Sequence, residues 1–164
     1  MLELAQPRPA WMGAAHDGRL TLPDGRVIPI VAILGPEGAD EATLQRARSA
    51  ASVPLSLRHV GVVRLLHVAL HEDRVAWCYD PFEGISLAHA LGREGHHALS
   101  ARAAAEAVAQ VAEVLLGLGA PGLTHPGPEA TDLLLSPTGR VGVLGFAGPH
   151  PVGPSMRAPN EGIA

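Results

Sequence analysis

Apolar positions along this chain change period four times, and the changes mark the elements. From Arg19 to Leu34, apolar residues flank Pro23, Asp24 and Gly25, which predicts two strands around a turn. Pro29 interrupts the second of these runs, so an edge strand or a bulge is expected there. Asp40 is placed to cap a short helix whose inner face is Leu44, Ala47 and Ala51, and Pro54 should stop it. Val60–Leu70 and Val75–Tyr79 read as strands joined by a turn at His71–Asp73. Gly84 breaks the chain before a short helix at Ser86–Leu91.

The clearest period comes next. Ser100 is a good N-cap, and Ala104, Val108, Val111, Leu115 and Leu118 follow at steps of four, three, four and three. Arg102, Glu106, Gln110 and Glu113 take the other side, and Gly119 and Pro121 end the run. This is an amphipathic helix of about five turns. Asp132–Leu135 and Arg140–Leu144 then flank Ser136–Gly139, a β-hairpin with suitable turn residues. The first 18 residues are weakly patterned, and the chain from Gly148 onward is rich in Pro and Gly. Strands, helix, strands, helices and hairpin follow in segregated order, which predicts an α+β fold.

Composition narrows the chemistry. All twelve cationic residues are arginine, so Schiff-base and lysine-dependent phosphate chemistry are excluded. A net charge of −4 and an aromatic content of 3% argue against nucleic acid as a partner. Cys78, the single cysteine, sits in an apolar strand and reads as a small buried hydrophobe. No signal peptide and no apolar run of bilayer length is visible, so a cytoplasmic protein without membrane contact is expected.

Three segments resemble one family in series. Leu57–Leu66 is similar to the passage from the regulatory helix into the fourth strand of protein kinases. Tyr79–Leu87 is similar to the fifth strand and hinge, with Tyr79, Asp80, Pro81 and Phe82 as hinge residues. Gly122–His125 with Asp132–Phe146 resembles the catalytic loop, its hairpin and the metal-binding motif. The resemblance, closest to bacterial serine/threonine kinases of the eukaryotic type, covers residues ~20–147. It implies a kinase-like N-terminal lobe at 19–83, made of an antiparallel sheet plus one helix. A partial C-terminal lobe at 84–147, one long helix plus a hairpin, would follow. Residues 1–18 and 148–164 would be tails.

The resemblance also implies that the catalytic groups are gone. Phosphoryl transfer in this family needs charged groups in fixed places. The phosphate-holding Lys aligns with Val31, and its Glu partner with Ala50. Only Gly13 and Gly18 lie near the place of the Gly-rich loop. His125 is kept, but Gly127 stands for the base and Glu129 for the catalytic-loop Lys. Asp132 stands for the metal-binding Asn and Gly145 for the metal-binding Asp, while Ala158–Asn160 is similar to a later family motif. The expectation is a truncated pseudokinase without catalytic residues, metal or cofactor, and with nucleotide binding disfavoured.

The single features give no competing chemistry. His67 and His71 lie on a strand and turn, where that spacing does not bring two imidazoles to one face, and no third ligand is evident. His96 and His97 read as loop residues, Asp132 and Glu129 as solvated loop carboxylates, and His125 as a structural histidine. The expected function is a non-catalytic module that binds a protein partner or itself, a homodimer being the commonest closed solution. Val108, Val111, Leu115 and Leu118 are the candidate interface, because the apolar arc of their helix is wider than one contact needs. The alternative is a small-molecule or nucleotide binder using the degenerate cleft. An unrelated enzyme is the weakest reading, since no nucleophile–base pair or metal cluster is visible.

Overall fold

In a computed structural model, residues 1–8, 11, 15–92, 99–119, 125 and 127–145 are described. They form an α+β fold built on two antiparallel sheets. The first contains β1 (Leu2–Pro7), β2 (Ala15–Thr21), β3 (Val27–Leu34), β4 (Leu65–His71) and β5 (Arg74–Tyr79), in the order β1-β2-β3-β5-β4. The second contains β6 (Ile85–Ser86), β7 (Leu133–Leu135) and β8 (Val141–Val143) in that order. Three α-helices accompany them: α1 (Glu41–Ala51), α2 (Leu87–Gly92) and α3 (Ala101–Gly119).

The opening stretch is not an unpatterned tail. Leu2 and Leu4 pack on the cluster of Leu20, Ile30, Ala32, Ala76 and Cys78, and β1 pairs with β2 as an edge strand of the sheet. β2 and β3 pair along their whole length around Gly25, whose φ of 83° is readily taken only without a Cβ. Pro29 also turns out differently from the expectation of an edge strand or bulge. β3 lies in the middle of the sheet, but it pairs with β5 only over Val31–Leu34. Pro29 precedes that stretch, so its missing N–H interrupts no ladder on that side.

α1 begins where the sequence places it. The Asp40 carboxylate accepts from the Thr43 backbone N–H at 2.8 Å and from the Thr43 hydroxyl at 2.6 Å, satisfying a donor that helix geometry leaves unpaired. Leu44 and Ala51 are buried against the sheet. The strand expected over Val60–Leu70 starts only at Leu65. Residues 61–63 instead cross to the second sheet, where the Val63 N–H donates to Val143 O and the Val143 N–H to Gly61 O. This crossing needs Gly61, because a Cβ there would collide with a Val114 methyl of α3.

Ser86 is buried and its hydroxyl accepts from the His89 N–H, which starts α2 one residue later than expected. Ser100 caps α3 through the Ala103 N–H at 3.1 Å. Val114 and Leu118 of α3 pack on Val141 and Val143 of the hairpin. Gln110 of α3 holds the hairpin turn as well, donating to Gly139 O and accepting from the Val141 N–H. No helix among the described residues is long and apolar enough to cross a membrane. The tail from 148, the late motif at Ala158–Asn160, and His96 and His97 lie outside the described residues.

Candidate functional site

The two sheets meet along the segment from Tyr79 to Gly84. Tyr79 ends β5 in the core, Asp80 and Pro81 turn outward, and Phe82 returns to the interior. The Asp80 N–H donates to Arg64 O, and the two side chains form a loose ion pair at 3.9 Å. Arg140 of the hairpin lies over the Phe82 ring, 4.9 Å from its centre. Gly142 makes room for that ring, since a Cβ there would be 2.7 Å from it.

One core cluster spans this junction. Val31, Tyr79 and Phe82 join Leu134 of β7 and Leu144 beyond β8. Val31 is fully buried and stands in register between Asp17 on β2 and Tyr79 on β5. Burial, with Asp132 and Cys78 adding, pushes the Tyr79 phenol well above its ordinary pKa. Burial alone pushes the Cys78 thiol up to about 12. The space left between Pro54, Val63, Leu65, Tyr79 and Gly145 is small, about 10 Å³, room for about one water molecule.

Around the loop that follows α3, the structure brings His125, Asp132 and Gly145 together. His125 Nδ1 accepts from the Gly127 N–H at 3.1 Å, so the proton is on Nε2, which donates to Leu144 O at 2.8 Å. Both nitrogens are thus engaged with the backbone, as fits a structural histidine. Asp132 is a correction to the sequence reading: it is fully buried rather than solvated. Its carboxylate accepts from the Glu129 N–H at 2.9 Å, while its backbone bonds Glu129 O and the Leu144 N–H. Glu129 itself is exposed. Gly145 has φ 91°, and a Cβ there would stand 2.9 Å from His125 Nε2 and 3.5 Å from the Asp132 carboxyl carbon. Gly127 is exposed, with φ 128°.

Ala50 is exposed on α1, whereas its neighbour Ala51 faces the core. The inward face of that helix is Leu44, Ala47 and Ala51, as its period predicts. Among the described residues, no group of three His, Cys, Asp or Glu is placed to hold a metal.

Two residues at this junction were not singled out from the sequence. Trp11, between β1 and β2, is 1% exposed and belongs to the junction cluster. Its indole N–H donates to Gly84 O at 3.1 Å. Arg8 bonds Asp17 at 3.0 Å and Phe82 O at 3.1 Å, and its guanidinium lies 5.0 Å from the centre of the Trp11 ring. The available signal was the alternation of Leu2 and Leu4 leading into one of only two tryptophans.

The four interface candidates separate. Leu118 is core, Val111 and Leu115 are half-buried, and Val108 is 68% exposed. Leu116, not among the candidates, is 77% exposed. Val108, Val111 and Leu115 line an open groove of about 560 Å³ with Leu87, Leu91 and Leu133. A second depression, about 500 Å³, lies beside Asp80–Phe82 and is rimmed by Arg58, Arg64, Asp80 and Arg140. The first is apolar throughout and the second is charged, so only the first gains by losing water. Compared with protein-family models and with curated proteins, the sequence matches none.

Proposed function

We propose that this chain is a non-catalytic module of protein-kinase-like design that works by protein–protein contact, and that a second copy of the chain is the partner. The kinase-like reading is supported by the antiparallel sheet with α1 between its third and fourth strands. The hinge-like Tyr79–Phe82, the long α3 and the β7–β8 hairpin follow in the order the resemblance implies. Inactivity is supported by the same positions. A fully buried Val31 stands where the phosphate-holding cation is needed, and Gly145 offers no carboxylate.

The observation that carries the interaction reading is the groove beside α3. Its lining is apolar, and Val108 at 68% exposure and Leu116 at 77% extend the apolar surface around the helix. Contiguous apolar surface of this kind marks interfaces in water-soluble proteins. A patch without charged side chains can meet its own copy without like-charge repulsion, which favours the symmetric dimer. The test is the double substitution Val108→Glu with Leu116→Glu, followed by sedimentation velocity. Both side chains are exposed, so the fold should persist while association is lost. A double variant that sediments like the unmodified chain overturns the assignment of this surface.

A further inference from the structure

We propose that the charged depression beside Asp80–Phe82 binds a phosphate monoester, held by Arg58, Arg64 and Arg140. The inference rests on this depression alone and does not need the kinase-like reading; neither Val31 nor Gly145 lines it. The three arginines come from separate parts of the chain. Arg58 follows the turn at Pro54–Ser56, Arg64 leads into β4, and Arg140 ends the hairpin turn before β8. Packing gathers three of the twelve cationic residues around one hollow of about 500 Å³, on a chain whose net charge is −4. Among the described residues that line it, Asp80 is the only carboxylate, so two positive charges stand in excess. A phosphate monoester carries about two negative charges at neutral pH, whereas a carboxylate carries one.

Two of the guanidinium groups are held in place with donors to spare. Arg58 Nη1 donates to Leu55 O at 3.0 Å and to Leu57 O at 2.9 Å, while its Nε and Nη2 bond no described residue. Arg140 is held over the Phe82 ring, 4.9 Å from its centre, and its side chain donates to no described residue. Neither has a carboxylate within ion-pair distance among the described residues. Arg64 Nη1 lies 3.9 Å from Asp80 Oδ2, beyond hydrogen-bond range, so an incoming oxyanion breaks no bond to reach it. A guanidinium presents paired N–H groups that match two oxygens of a phosphate. His59 also lines the hollow, but its Nδ1 is engaged by the Gly61 N–H. The hollow exceeds a phosphate group in size and falls in the range of small-ligand sites. Val60, 81% exposed, gives it an apolar lip with Val62 and Pro81, where the organic part of the ester would lie.

Titration calorimetry at neutral pH tests this. Phenyl phosphate should bind at one site with a Kd below about 1 mM. Phenylacetate, with a single charge, should bind roughly tenfold more weakly. Arg58→Gln and Arg140→Gln, both at exposed positions, should each weaken phenyl phosphate roughly tenfold. Arg102→Gln removes the same charge from α3, outside the hollow, and should leave binding unchanged. Asp80→Asn removes the opposing carboxylate and should tighten binding, a gain that misfolding cannot produce. A short phosphoserine peptide, titrated beside phenyl phosphate, identifies the source: tighter binding of the peptide points to a phosphorylated side chain, tighter binding of phenyl phosphate to a small phosphorylated molecule, and either order supports the site. No heat up to about 10 mM phenyl phosphate, equal binding of phenylacetate, or an equal loss in Arg102→Gln overturns it.

Discussion

Gly145 offers the sharpest single-residue test, because two independent constraints meet there. Its φ of 91° lies where residues with a Cβ are strained by about 1–2 kcal/mol. A Cβ would also stand 2.9 Å from His125 Nε2, too close for any real contact. Moving His125 is not free, since its two nitrogens hold Gly127 and Leu144. Overpacking of this sort costs about 1–3 kcal/mol. Gly145→Ala should therefore lose about 2–5 kcal/mol, or roughly 4–20 °C in Tm for a chain of this length. Gly145→Asp should lose more, because its carboxylate would enter beside the fully buried Asp132. Urea titration of both variants checks the order, and calorimetry with Mg-ATP checks whether the restored carboxylate recruits a metal nucleotide. An Asp variant as stable as the unmodified chain would refute the steric argument. Micromolar Mg-ATP binding by that variant would refute the claim that the junction is filled.

Other consequences can be read from single groups. Burial, with Arg48 and the N-terminal amine adding, lowers the pKa of His67 from its ordinary 6.5. The unfolded chain then binds this proton more readily, so His67 costs stability as pH falls through 6.5 and nothing above it. His67→Gln should flatten the acid limb of a Tm-versus-pH curve between pH 7 and 5, and an unchanged limb contradicts the assignment. Cys78, fully buried with its thiol pushed up to about 12, should resist a thiol reagent at pH 8 and react fully in denaturant. Rapid labelling of the folded protein would show that β5 is not where it is described. Val31→Lys with Ala51→Glu should yield no phosphoryl transfer in a radiolabel assay, because Gly127 and Gly145 remain; transfer would contradict the kinase-like alignment.

What could be read from the sequence was local. Asp40 and Ser100 announced their helices because capping is settled within three residues. The hairpin at 133–143 was legible from its turn residues, and α3 from its period. The failures are long-range. Trp11 is fixed by a carbonyl 73 positions away, a partner that the local alternation of Leu2 and Leu4 does not point to. Val62 and Val63 look like the start of a strand but belong to the seam with β8, a choice made by Val143. Asp132 looked solvated because its type is usually exposed, yet its backbone bonds draw the side chain inward. The inner face of α1 was legible from its period, Ala51 being buried as expected, and Ala50, about 100° of helix rotation away, is exposed. The α3 groove is intermediate: Val108, Val111 and Leu115 were legible as apolar, but only the packing of Leu118 on Val141 and Val143 separates covered from uncovered positions.

The claim that this chain works through its α3 surface is tested most directly by its mass in solution. Light scattering coupled to size exclusion, from one to a hundred micromolar, reads that mass without labels. The account predicts twice the chain mass of 17.0 kDa for the unmodified protein, falling to 17.0 kDa in the Val108→Glu, Leu116→Glu variant, which should keep the far-UV circular dichroism of the folded chain. An unmodified chain that stays at 17.0 kDa throughout that range would contradict it.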